Sequence, residues 1–308
     1  MEVFLYLFIH YAAPVLLLLY FLLHKFNSSI GLIVTTLLSI STVFFLYLWG
    51  QWAIVGSLYI KYVMIAVILF FIYLFVVKNR SITSSKGTMR LFLKIRVALT
   101  LLISVLVIFF CVKILTEVDS YELEAVDLEF PLKGSEFYVS SGGGSKLVNN
   151  HFKDYPNSQQ YAIDINKLSG AKFISKKILS RNNEDHYVFS DTVYCPCKGV
   201  IEKIKEGVED NRQSSMNVSN KDGTGNYISL KCDTTFVKMY HLKKGSILVS
   251  EGEKVRLGFP LALVGNSGFS QEPHLHIQAS IYTEDSTSVG VPMRFNGKIL
   301  SRNDTYKN

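Results

Sequence analysis

The chain has 308 residues, 49% of them hydrophobic, and a formal net charge of +7. That charge is segregated: residues 1–115 carry nine Lys and Arg against one acid, Glu2, for +8, and the rest carries 23 basic and 24 acidic residues for −1. The basic balance thus belongs to a hydrophobic half, which excludes a nucleic-acid surface as its explanation and points to two regions.

Four apolar runs near 3–23, 30–50, 58–77 and 96–115 each approach the roughly 20 residues that a bilayer-spanning helix needs. They predict an all-α transmembrane bundle of four helices over 1–115. The first run, "VFLYLFIHYAAPVLLLLYFLL", has no positive charge before it and is too long for a signal-peptide core, so it reads as a span with a mild kink at Pro14. The segment "KNRSITSSKGTMRLFLKIR" (78–96) holds six Lys or Arg and no acid. Lys25 lies on the same side, and the opposite side has only Lys61 and Lys113. Basic loops stay cytoplasmic, so the expectation is a multi-pass membrane protein with both termini extracytoplasmic. Lys61 reads as a snorkelling residue at a span edge. His10 inside the first span has no intramembrane acid to pair with, which weighs against a polar transport path.

Residues 116–130, "TEVDSYELEAVDLE" and its continuation, read as an acidic extracytoplasmic linker. Beyond them, short alternating runs such as "QYAIDI", "GVIEKIKEG", "FVKMYHL" and "HLHIQAS" are separated by Gly, Asn, Asp and Ser clusters. This pattern predicts an all-β domain of antiparallel sheets over 131–295. The stretch "NKLSGAKFISKKILSRNNEDHYVFSD" reads as a polar surface insertion, with His186 on its surface, and residues 296–308 as a frayed tail.

Of four cysteines, Cys111 lies in the fourth apolar run and Cys195, Cys197 and Cys232 in the β region. Cysteines two apart do not readily bridge, so a disulfide would join Cys195 or Cys197 to Cys232. Buried thiols are the preferred expectation, and a zinc site built from them lacks the usual paired knuckles.

Side chains two apart on a strand share a face about 7 Å apart, so His274 and His276 in "GNSGFSQEPHLHIQ" look the same way. Such a pair supplies two zinc ligands, or one ligand and one acid/base group. Together with "MYHLKKGSILVSEGEKVRLGFPLALV", "YAIDI" (161–165) and "VYCPCKGVIEKI", this stretch resembles the lysostaphin-like and LytM-like zinc endopeptidases that cut peptidoglycan peptides. The similarity covers about half of the chain. It implies antiparallel sheets forming a groove, Zn2+ as cofactor, and peptidoglycan peptides as substrate. The bilayer, and a membrane or cell-wall protein that regulates the activity, are the other expected partners. By that resemblance Asp164 and His276 are zinc ligands, and His241 and His274 act in catalysis, His274 as proton acceptor and donor and His241 on the oxyanion.

One position departs from the family. Its first motif is His-x-x-x-Asp, and four residues before Asp164 stands Gln160. Regular strand would hold positions 160 and 164 about 13 Å apart, so the chain must bend before Tyr161. Three readings follow. His151, in a loop with Pro156 and Asn157 as turn formers, supplies the missing nitrogen; Gln160 ligates through its carbonyl oxygen; or the site is degenerate and the domain binds cell wall or regulates another hydrolase. The Gly-rich "SSGGGS" (140–145) and residues 170–190 are the expected groove walls.

Overall fold

The computed structural model describes residues 7–23, 28–80, 91–117, 125–153, 157–211 and 223–307. Lys25, Lys86, Arg90, Pro156 and residues 118–124 of the acidic stretch 116–130 lie outside them. The chain divides into two compact units, 1–116 and 117–308.

In the first unit, a π-helical turn, Phe8–Ala12, leads into α1 (Ala13–Leu23). Pro14 cannot donate to the carbonyl of residue 10, so an irregular turn before it is the expected accommodation. Next come α2 (Ser29–Trp49), the short α3 (Trp52–Val55), α4 (Ile60–Asn79) and α5 (Leu91–Glu117). Three helices, Ser29–Trp49, Ile60–Asn79 and Leu91–Thr116, are long and apolar enough to cross a membrane. The first apolar run is shorter in its described part, Phe8–Tyr20, so among the described residues the expected four spans are three plus one short apolar helix. Ser28 caps α2, its hydroxyl accepting from the Gly31 amide.

His10 and Lys61, the two polar residues singled out in the sequence of this unit, are both buried. His10 Nε2 accepts the Gln51 N–H at 3.1 Å, and its ring packs against Trp49 and Trp52. Lys61 does not snorkel outward. It is 5% exposed, with Nζ 4.9 Å from the ring centres of both Tyr47 and Tyr62, so aromatic faces take the place of interfacial water.

The second unit is built from fourteen strands among the described residues. They are β1 (Val126–Leu128), β2 (Glu136–Ser141), β3 (Ile163–Leu168), β4 (Thr192–Tyr194), β5 (Gly199–Lys205), β6 (Asn226–Cys232) and β7 (Thr235–Leu242), then β8 (Lys254–Val255), β9 (Pro260–Leu263), β10 (Leu275–Tyr282), β11 (Ser288–Val291), β12 (Met293–Phe295), β13 (Lys298–Ile299) and β14 (Thr305–Lys307). The main sheet runs β14-β2-β3-β10-β7-β6-β5-β8, with β11 also on β10, and every pairing in it is antiparallel. Two small sheets, β1-β12-β13 and β4-β9, complete the fold.

Alternation sets the register of the three central strands. On one face Ile163, Ile165, Leu275, Ile277, Val237 and Met239 enter the core; on the other stand Asp164, His276 and Tyr240, paired as Asp164↔His276 and His276↔Tyr240. A slip of one residue would exchange these faces. Each buried aliphatic side chain turned outward would forfeit roughly 1.5–3 kcal/mol, and a carboxylate would enter the core. Along one edge of β10, β3 pairs with Leu275–Ile277 and β11 with Ala279–Tyr282. The two meet end to end, and the loop preceding β3 folds over the junction.

Four expectations change here. The stretch read as linker contributes β1, which pairs in parallel with β12, and Phe130 and Leu128 join the core. The stretch read as a frayed tail pairs with β2 through β14 and buries Leu300, Ser301 and Arg302. Residues 140–145 are buried and do not form an exposed wall. His186 is also buried, at 4% exposure, because the 170–190 segment folds back on itself through the Ser175–His186 bridge. Burial lowers the pKa of this imidazole, partly offset by its bond to the Ser180 carbonyl and by Asp185.

The cysteines differ from expectation as well. Pairing of β5 with β6 brings the chain entering β5 beside the end of β6, and Cys197 and Cys232 are joined by a disulfide at a Cα separation of 6.2 Å, within the usual span. Cys195 remains a buried thiol. Replacing Cys197 by Ser opens a loop with sequence separation 35, so the expected loss is roughly 2–4 kcal/mol, read as a lower melting temperature under non-reducing conditions. An unchanged midpoint would show that the link does not form.

Candidate metal centre

The site assembles on the polar face of the main sheet from three separate segments: the loop before β3, β3 itself, and β10. Asp164 is central. Its Oδ2 lies 2.8 Å from His151 Nε2 and its Oδ1 2.9 Å from His276 Nδ1. One ligand atom from each of His151, Asp164 and His276 lies within 4.8 Å of the others. Two imidazoles and one carboxylate are a donor set suited to zinc, leaving a position open as catalytic sites do. The residues present fit the ion that the sequence implies.

Of the two expected sources of a third ligand, the fold brings His151 to the cluster. The bend before Tyr161 is present, with the Gln160 N–H donating to the Asn157 carbonyl and the Ala162 N–H to that of Gln159. The Gln160 side chain points elsewhere, its Nε2 lying 3.4 Å from the Tyr161 hydroxyl. Asn149 holds the loop that carries His151. Fully buried, it donates from Nδ2 to the carbonyls of Gly143, Gln160 and Ala162, and its Oδ1 accepts the His151 N–H at 2.9 Å. Asn157 completes the grip by donating to the His151 carbonyl at 2.9 Å.

The His276 ring is oriented by its second nitrogen. Nε2 lies 3.3 Å from Gln278 Oε1, and Gln278 in turn donates to the Ser158 carbonyl. An amide oxygen can only accept, so Nε2 carries the proton and Nδ1 is left for a metal.

The other two histidines stand at the edge of the cluster. His274 Nδ1 lies 2.8 Å from the Glu272 carbonyl, and its Nε2 is 3.6 Å from Asp164 Oδ1. His241 Nδ1 lies 2.8 Å from the Ser267 carbonyl. Carbonyls accept only, so both rings carry their proton on Nδ1 and, when neutral, present a bare Nε2. Neutral His241 therefore offers an acceptor and not the N–H that oxyanion stabilisation requires. Its ring is 4.9 Å from that of His274 and 5.9 Å from that of His276.

His241, the next-to-last residue of β7, has a φ of 61°, a conformation unusual outside glycine and one that collects at functional sites. What holds it is the "GNSG" turn. The Asn226 amide donates to Ser267 Oγ, and that hydroxyl donates to the Leu242 carbonyl. Gly225 and Gly268, both at positive φ, pass so close that a Cβ on Gly268 would lie 2.3 Å from the Gly225 nitrogen.

Electrostatics follow from burial and from Asp164. Burial opposes ionisation of Asp164, but His151 and His274, together with hydrogen bonds from His151 and His276, outweigh it and hold the carboxyl well below its ordinary value. Burial likewise opposes the His151 proton, and the Asp164 carboxylate reverses that and raises its pKa. Burial keeps His241 neutral well below the usual imidazole value, and neighbouring His274 and His276 add to the effect. For His276 burial lowers the value against the pull of Asp164. Burial pushes the Glu272 carboxyl up to about 7, partly countered by His274.

Gln278 was open to sequence reading, standing two residues after His276 on the same strand face. Asn149, Ser267 and Glu272 were not, because each acts through a backbone contact that no residue pattern records.

Residues 188–288 match Peptidase family M23; the match includes His241, His274 and His276, while Asp164 and His151 precede it. A protein described as "Uncharacterized metalloprotease" from Buchnera aphidicola subsp. Baizongia pistaciae (strain Bp) is 30% identical over 154 residues, 50% of this chain and 36% of the relative. This chain thus spans about a third of that relative's length. Among solved structures, a mutant catalytic domain of the prophage-encoded M23 protein EnpA from Enterococcus faecalis is 17% identical, covering 52% of this chain and 92% of its own, with a TM-score of 0.32. A zinc-containing peptidase from Vibrio cholerae is 19% identical over 55% of this chain and 40% of its own, also with a TM-score of 0.32. The family match thus covers residues 188–288 of this chain, which are similar to Peptidase family M23.

Proposed function

We propose that this protein is a membrane-anchored zinc endopeptidase that hydrolyses peptide bonds of peptidoglycan on the outer face of a bacterial membrane. The observation that carries this reading is the clustering of His151, Asp164 and His276, with His274 Nε2 3.6 Å from Asp164 Oδ1 and the His241 ring beside those of His274 and His276. His151 through Nε2, Asp164 through its carboxylate and His276 through Nδ1 would hold the zinc. Zinc bound there supplies a Lewis acid that polarises a peptide carbonyl and acidifies water.

The chain's own residues then handle the proton. With Nδ1–H tied to the Glu272 carbonyl, His274 Nε2 is the acceptor for the proton of the attacking water. His241, tied to Ser267 in the same way, is a second acceptor. Two imidazoliums with ring centres 4.9 Å apart repel, so the proton taken from water rests on one Nε2 at a time. Held on Nε2, that proton is a donor beside the developing oxyanion, and it passes to the leaving amine as the bond breaks. The basic segment 78–96 supports a topology with the β domain outside the cytoplasm.

The test uses the full-length protein in detergent with purified peptidoglycan. Zinc near one equivalent per chain and new amine termini that vanish with a chelator are the expected results. Cleavage that survives complete metal removal would sink the mechanism. Retained binding to peptidoglycan without cleavage by the zinc-loaded protein would instead favour a domain that binds the wall or regulates another hydrolase.

A further inference from the structure

The loop that carries His151 is clamped from the far end of the chain. Arg302 is 7% exposed; its Nη1 donates to the Leu147 carbonyl at 3.1 Å and its Nη2 to Asn150 Oδ1 at 2.8 Å. These contacts bracket Asn149 and end one residue before His151. The backbone around Arg302 holds the same loop from below, with the Arg302 N–H and the Ser301 hydroxyl both donating to the Gly142 carbonyl.

The platform for the clamp is itself well anchored. Leu300 lies in the core, and the Ser301 N–H donates to Asp304 Oδ2 at 2.7 Å. The Asn303 N–H donates to the Val139 carbonyl, the Val139 N–H to that of Asp304, and Tyr138 Oη to Asn303 Oδ1 at 2.8 Å. β14 then continues along β2. This matters because His151 is offered by a loop and not by a strand. A loop ligand contributes to affinity only if the loop is already ordered, since ordering costs roughly 1–2 kcal/mol for each backbone residue fixed.

We infer that Arg302 is a positioning residue of the metal centre, holding the 147–151 loop so that His151 is presented to Asp164 and His276. The inference rests on the reading of these three residues as zinc ligands. A planar guanidinium can reach both the Leu147 carbonyl and the Asn150 side chain at once, which a single ammonium cannot do with the same geometry.

The experiment is a zinc titration of the full-length protein against a competing chelator, paired with hydrogen exchange of the metal-free protein. Arg302→Met is expected to weaken zinc about tenfold to a hundredfold, the scale of losing a residue that orients a ligand. It should also speed amide exchange over 147–151 while β3 and β10 keep their protection. Asn150→Ala removes one of the two contacts from the exposed side and should weaken zinc in the same direction. In the double variant the losses should not add, as for two partners of one contact. If Arg302→Met does not fold, Asn150→Ala decides alone. Zinc affinity within twofold of the parent in the variants overturns the inference, and so does unchanged exchange over 147–151 in Arg302→Met. A parent protein that binds no zinc would overturn the reading of the site, and with it the role given to Arg302.

Discussion

Replacing His151 with Ala is expected to strip zinc from the protein, whereas Gln160→Ala leaves it bound. His151 Nε2 is 2.8 Å from Asp164 and within 4.8 Å of the other ligand atoms, while the Gln160 side chain turns towards Tyr161. Losing one of three protein ligands should weaken zinc by roughly a hundredfold or more, beyond the 10- to 100-fold typical of an outer partner. Metal analysis of the two purified variants after dialysis checks it. Retention of zinc by His151→Ala with loss in Gln160→Ala would reverse the assignment.

Binding should also release a proton below the raised pKa of His151. In the metal-free protein its imidazolium pairs with the Asp164 carboxylate, and only the neutral ring can ligate. The pair stabilises the metal-free fold where both charges exist. For His151, whose folded value is raised, the contribution is full below the unfolded value of about 6.5 and is lost as pH rises through the folded value. For Asp164, whose folded value is depressed, it is full above about 3.9 and is lost as pH falls through the folded value.

His274→Ala is expected to behave in the opposite sense, keeping zinc and losing turnover. Its Nε2 stands 3.6 Å from Asp164 Oδ1, beside the cluster and outside the ligand set. Loss of a positioned proton acceptor typically costs about 10²- to 10⁴-fold in rate. The measurement is release of amine termini from peptidoglycan by protein confirmed to hold about one zinc. A variant as active as its parent would remove His274 from the proton pathway. His241→Ala should reduce the rate less, provided the proton is carried mainly by His274.

What the chain reveals before folding is what depends on backbone period. A repeat of two placed His274 and His276 on one strand face, and the resemblance of "YAIDI" to the family motif pointed to Asp164. Uninterrupted apolar runs marked the helices, although the irregular turn before Pro14 in the first of them escapes a count of apolar residues. The order of short alternating segments pointed to antiparallel sheets, and the structure has them in every pairing of the main sheet.

Contacts between distant segments were not open to such reading. Asn149 satisfies three carbonyls because the loop closes on β3, and nothing about an Asn in "LVNNHF" announces that. The last residues look like a tail by composition, yet they pair with β2 and place Arg302 on a loop more than 150 positions earlier. The same holds for the disulfide, which depends on the β5–β6 pairing. Sequence alone determined that His274 and His276 share a strand face, because strand geometry is local, and it was the family resemblance that marked Gln160 as the departure from the usual ligand motif. Only the tertiary structure brings His151 beside Asp164 and His276, because a side chain on a loop is positioned by long-range hydrogen bonds that leave no periodic trace.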